Sequence, residues 1–281
     1  MRIFIFCTLL LAAACASAPE PQSAAPAVEP IVIGESRHIE SEELGQTRTY
    51  NVWLPPSYDE GDASYPVLYV MDGGLQQDFH HISGLAQLST ITGMFREIIV
   101  VGVETVDRRA ELTSPSSDPL DKQDFPTHGN AAAFRAFLSN EVMPDVASHY
   151  RVSNETALIG ESFAGFFVLE TFLTAPDTTD SYIAISPSVW WDKAALAKTS
   201  DEHLRIMPEK ERKLYLAIAN EDGLMREGVL DVFKALKKEK VPGLAWTFSD
   251  RPDLKHSSIY HREALEALLW TFANPDEEKT H

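Results

Sequence analysis

Cysteine is nearly absent: Cys7 and Cys15 are the only two in 281 residues, and both stand at the extreme N-terminus. Beyond them there is no thiol nucleophile, no cysteine-built zinc site and no possible disulfide, so the body of the chain must rest on its packed core. Basic residues are scarce as well, 24 Lys and Arg against 42 Asp and Glu, for a formal net charge of −18. That balance repels phosphate backbones and excludes nucleic acid as a partner. The one long basic cluster, "KALKKEK" at 234–240, closes a helical pattern, where positive charge complements the helix dipole. Apolar runs long enough to span a membrane are missing too. The longest lies within "MRIFIFCTLLLAAACASAPEP" and covers about a dozen residues, where a span needs about twenty.

That N-terminal segment has a positive start at Arg2, an apolar stretch and then small residues, the pattern of an export signal. Two processing routes compete. Cleavage after "ASA" would leave Pro19 directly behind the cut, whereas "LAAAC" resembles a bacterial lipobox ending at Cys15, with Ala12 where a larger residue is usual. We read residues 1–15 as a leader with lipidation at Cys15, which predicts an exported, periplasmic lipoprotein attached to a membrane. Residues 16–30, "ASAPEPQSAAPAVEP", are too poor in large apolar side chains to fold and read as a tether. From 31 to 275 the composition is that of one globular domain without repeats.

Within that domain "RTYNVWLP", "YPVLYVMD", "EIIVVGVE", "TALIG", "SYIAISP", "KLYLAIA" and "LAWTFSD" are short β-branched or aromatic runs, several of them apolar throughout, as strands covered on both faces should be. Helical stretches separate the later ones. In "AAAFRAFLSNEVMPDVASHY", Phe134, Phe137, Leu138, Val142 and Val146 form one stripe, and Pro144 is expected to bend the last turn. In "SSIYHREALEALLWTFA", Leu265, Leu268, Leu269 and Phe272 stack in the same way, with His261 on their face. Strands alternating with helices predict a mostly parallel sheet with helices on both faces, and ligands at the carboxyl ends of its strands.

One corner of that pattern carries chemistry. "IGESFAGFF" sets Gly160-Glu161-Ser162 behind an apolar strand and in front of a helical run, with Ala164 where the nucleophile-elbow pattern usually has a second glycine. A serine hydroxyl is nearly inert at neutral pH, so such a serine needs a histidine base and an acid to orient it. In this architecture the chain order is serine, acid, histidine. Of the four histidines after Ser162, His256 alone follows the last strand and precedes a helix that Ser257 and Ser258 can cap. Glu221 and Asp222 follow the preceding strand; Asp222 is preferred as the acid and Glu221 held in reserve. The oxyanion requires two backbone donors, for which the N–H groups of Phe163 and Gly74 are the candidates. Residues 112–130 form a long irregular stretch beside the site that can act as a lid. His80, His81 and His128 lack metal-ligand spacing, and neither a metal nor another cofactor is expected.

With "YPVLYVMDGG", "IIVVGVETVDRRAELTSP", "GESFAGFF", "AISPSVWWD" and "DLKHSSIY" in place, the chain resembles the putative-esterase family of α/β-hydrolases over residues 46–272. That family includes esterase D, feruloyl esterases and periplasmic trilactone esterases, and "SPSVWWD" is closest to the last group. The resemblance implies an α/β-hydrolase fold with about eight strands and a serine esterase that uses Ser162, His256 and Asp222. It also puts Trp190 or Trp191 in the substrate pocket. Arg108, past a strand end, is a candidate for meeting an anionic part of a small-molecule ester. Two other outcomes are compatible with the same residues: acyl transfer from the same acyl-enzyme, or an inactive hydrolase scaffold that only binds ligand.

Overall fold

The computed structural model describes residues 28–274. Residues 28–32 are exposed and without regular structure, and a separate compact unit begins at Ile33. The predicted leader with Cys15, and most of the predicted tether, lie outside the described residues.

Eight strands, β1 Glu35–Ser41, β2 Gln46–Trp53, β3 Tyr65–Met71, β4 Ile99–Val103, β5 Val152–Glu161, β6 Ser181–Ile185, β7 Arg212–Ala219 and β8 Leu244–Arg251, form one sheet in the order β1-β2-β4-β3-β5-β6-β7-β8. The hairpin β1-β2 and the β2-β4 pair are antiparallel; every other pairing is parallel. This is the expected α/β-hydrolase arrangement. β1 is the strand the composition did not announce, because it is an exposed edge whose "ESRHIES" presents polar side chains on both faces.

Strand alternation separates two cores. Val67, Tyr69 and Met71 of β3 point to one face and Leu68 and Val70 to the other. The second face is closed by α1 (Phe79–Thr92) and α9 (His256–Thr271), through Phe79, Ile82, Ile259, Ala264 and Leu268. On the first face lie α4 (Ala131–Phe137), α5 (Met143–His149), α6 (Phe163–Thr174), α7 (Trp191–Ile206) and α8 (Gly223–Glu239). Residues 163–173 of α6 are all buried, so this helix needs no polar stripe.

Two local expectations are corrected. Pro144 stands in the first turn of α5 and not in the last turn of a longer helix, and a wide π turn, Leu138–Val142, comes directly before it. A proline ring clashes with the carbonyl four residues back and cannot donate, and the widened turn absorbs both defects. His261 was expected to pack on the leucine face, yet it is largely exposed with its ring 4.9 Å from that of His81, and the buried face of α9 runs through Ile259, Tyr260, Glu263, Ala264, Ala267 and Leu268.

The loop after β4 carries α2 (Arg108–Leu112), anchored by a buried bidentate pair: Arg48 Nη1 and Nη2 donate to Glu111 at 2.6 and 3.0 Å. Arg48 also donates to the Glu104 carbonyl, so one side chain ties β2 to the end of β4 and to α2. Beyond it, the stretch expected to be irregular contains a short helix, α3 (Pro119–Asp124).

Candidate active site

β5 runs straight into Ser162, and α6 starts at the next residue. Reversing direction in one residue requires an unusual backbone: Ser162 has φ 60° and ψ −120°, a strained combination for a residue with a side chain, worth about 1–3 kcal/mol. Its neighbours hold it there. The Ser162 N–H donates to the Ile185 carbonyl at 3.1 Å, and its own carbonyl accepts from Phe166 and Ser188. Strand and helix approach so closely that a Cβ on Gly160 would lie 2.5 Å from the Ala164 carbonyl carbon, and one on Gly165 would lie 2.8 Å from the Ile185 oxygen. The departure from the usual pattern is thereby explained. Ala164 keeps its methyl group because Gly160 has none, and the glycine required on the helix side is Gly165.

Far along the chain, β8 leads through residues 252–255 to α9, whose first residue is His256. The Lys255 N–H donates to Ser258 Oγ at 3.1 Å, so the helix is capped from its third position and Ser257 takes no part. His256 Nε2 and Ser162 Oγ are 3.0 Å apart, and His256 Nδ1 lies 2.7 Å from Glu221 Oε1. The preference for Asp222 is therefore corrected to Glu221. Asp222 is exposed and occupies the N-cap of α8, while Glu221 is only 11 % exposed and its longer side chain reaches the ring. "DGLMREGVLDVF" carried the signal: an aspartate directly before an apolar helical pattern stands at the N-cap position, although here its side chain makes no capping bond.

Two residues of "SPSVWWD" that were not anticipated complete the polar shell. Ser186 Oγ donates to Glu221 Oε1 at 3.2 Å and accepts from the Ala219 N–H, fixing the carboxylate on its strand end. The buried Ser188 has its Oγ 3.3 Å from Ser162 Oγ. Phe163 opens α6, where backbone N–H groups point out of the helix and the dipole is positive, as an oxyanion requires. Gly74 is different from its expected role. Its N–H donates to Gln77 Oε1 at 2.8 Å in a tight turn, while Gln77 Nε2 donates to Thr105 Oγ1.

The two tryptophans divide. Trp190 is half-buried against Phe163 and Phe125. Trp191 is buried, and its Nε1 donates to the Ser114 carbonyl at 2.9 Å, so it anchors the 112–130 stretch. Asp192 fastens the same stretch by accepting from the N–H and Oγ of Ser117, and Phe125 packs edge-on against Phe163. Arg108 donates through Nε to Asp72 Oδ2 at 2.5 Å, and its guanidinium stands 5.5 Å from the centre of the Phe163 ring. It thus stands over the elbow with 37 % of its side chain exposed. Among the described residues no group of three His, Cys, Asp or Glu side chains is arranged to hold a metal ion, and no helix is long and apolar enough to cross a membrane.

Comparison with known proteins bears on this geometry. The family model described as Putative esterase matches residues 41–240. The chain belongs to that family. Ferri-bacillibactin esterase BesA of Bacillus subtilis is 29 % identical over 254 residues, covering 82 % of this chain and 87 % of BesA. Apo-salmochelin esterase of Escherichia coli is 28 % identical over 246 residues, covering 79 % of this chain and 74 % of its own. Among solved structures, an IroE-like serine hydrolase from Shewanella oneidensis superposes with a TM-score of 0.78 at 25 % identity, covering 85 % of this chain and 80 % of that one. Membership makes the protein an esterase of the α/β-hydrolase type, acting on carboxylic esters.

Proposed function

We propose that this esterase works through a serine acyl-enzyme and that its substrates are the ester linkages of siderophores. One observation carries the mechanism: Ser162 Oγ, His256 and Glu221 form an unbroken line of contacts at 3.0 and 2.7 Å. Ser162 Oγ attacks the ester carbonyl as His256 Nε2 takes its proton. Glu221, held by Ser186, keeps the Nδ1 proton in place and stabilises the imidazolium. The oxyanion is met by the Phe163 N–H at the start of α6. The imidazolium then passes its proton to the departing alkoxide. Water, activated by the same histidine, releases the acid and restores the hydroxyl.

The substrate class is supported by the names of the two curated relatives and by the position of Arg108 over the elbow. Although paired with Asp72, Arg108 keeps 37 % of its side chain exposed, which leaves guanidinium N–H groups to meet an anionic part of the ligand. We further propose that the chain is exported and lipidated at Cys15, on the strength of its leader. Purified protein incubated with a cyclic catecholate trilactone should yield the linear trimer and shorter hydrolysis products by mass spectrometry. Hydrolysis of simple aryl esters with the trilactone untouched would reject the siderophore assignment.

A further inference from the structure

The residue before the serine does not fit the scheme just described. Glu161 ends β5 with 18 % of its side chain exposed, and its buried Oε1 makes no hydrogen bond among the described residues. That oxygen nevertheless lies 3.2 Å from His256 Nε2, against 3.0 Å for Ser162 Oγ. Nε2 therefore has two oxygens within reach, and only the serine lies in hydrogen-bond alignment. The charged and titratable groups around the Glu161 carboxyl come from every neighbouring element: His256 and Tyr260 of α9, Arg108 of α2, Asp78 at the N-cap of α1, and Glu221 after β7. Asp72, paired with Arg108, adds its charge beside Asp78.

We propose that Glu161 is a positioning residue for the base: a second carboxylate, on the serine side of the ring, that competes with Ser162 for the Nε2 proton of His256. The proposal rests on the reading of His256 as the base that serves Ser162. An ionised carboxylate at 3.2 Å favours the imidazolium and draws its N–H away from the serine oxygen, whereas a neutral carboxyl leaves the ring to Ser162. Burial pushes Glu161 up to about 7, aided by Asp78 and Glu221 and opposed by His256 and Arg108. The sign follows: the competing charge appears as the pH rises through neutrality and holds a proton on the ring that would otherwise leave.

Glu161→Gln keeps the size and polarity and removes the charge. The acid limb of its kcat/KM should move down by about one pH unit or more, which is a tenfold or larger gain relative to its own plateau at a pH on that limb. Glu161→Asp, which keeps a charge near the ring, should stay closer to the wild type. The profiles are measured with p-nitrophenyl butyrate, and thermal melts check that each variant is folded. The low-field N–H resonance shared by His256 and Glu221 reads the ring without turnover, and its upfield move on loss of the Nε2 proton should come at lower pH in the glutamine variant than in the wild type. An active wild type whose Glu161→Gln variant superimposes on it in both measurements overturns the proposal alone. A wild type inert toward both the ester and a fluorophosphonate overturns the esterase mechanism and this proposal together.

Discussion

Replacing Glu221 by glutamine tests which carboxylate serves the histidine. In the structure Glu221 Oε1 is 2.7 Å from His256 Nδ1 and also accepts from Ser186 Oγ, in a position only 11 % exposed. A glutamine of the same shape can present its N–H₂ to Nδ1, which stabilises the wrong tautomer and leaves Nε2 protonated toward Ser162. It also removes the charge that offsets the imidazolium in the transition state. Comparable losses of a triad acid lower kcat by about 10³–10⁴, equivalent to about 4–5.5 kcal/mol of transition-state stabilisation. Asp222, exposed at the N-cap position of α8 with no side-chain capping bond, touches none of this, so Asp222→Asn should change kcat/KM by less than about threefold and leave stability within about 0.5 kcal/mol. Steady-state hydrolysis of an aryl ester by the two purified variants, alongside the wild type, is the assay. Equal activity in Glu221→Gln, or a collapse in folded Asp222→Asn, would refute the assignment.

Further expectations concern the corner and the aromatic wall. Gly160→Ala forces a methyl group to within 2.5 Å of the Ala164 backbone, so urea unfolding should show a loss of about 1–3 kcal/mol, whereas Ala164→Gly should cost about 1 kcal/mol or less. Trp191→Phe leaves the Ser114 carbonyl without its donor and should lower stability by about 1–3 kcal/mol with KM unchanged. Trp190→Ala, by contrast, should raise KM several-fold with a smaller effect on the melting temperature, because its half-exposed ring packs against Phe163 beside the elbow.

The parallel strands, both helical faces and the serine–histidine pair were legible because each leaves a local signature: apolar runs, a three-to-four-residue stripe, a small-residue corner, and a histidine between the last strand and a helix. What escaped was decided by tertiary context. β1 is an edge strand whose polar alternation resembles a loop. The choice between Glu221 and Asp222 depends on side-chain reach across the sheet top, although the position of Asp222 at the start of α8 was written in the residues that follow it. Trp190 and Trp191 are adjacent and identical in type, and only the Ser114 carbonyl distinguishes the buried one. Ser186 and Ser188 stood in a quoted stretch without any spacing that pointed to Glu221 or Ser162. The capture of the Gly74 N–H by Gln77 is a three-residue contact that no periodicity reveals.

Intact-mass analysis after exposure to a fluorophosphonate tests the central claim most directly, because the reagent forms a stable bond only with a serine that its own histidine activates. The folded protein should gain one phosphonyl group, located by peptide mapping on Ser162, and both Ser162→Ala and His256→Ala should stay unmodified. A folded wild-type protein that gains no mass, or that carries the adduct on another residue, would contradict the account.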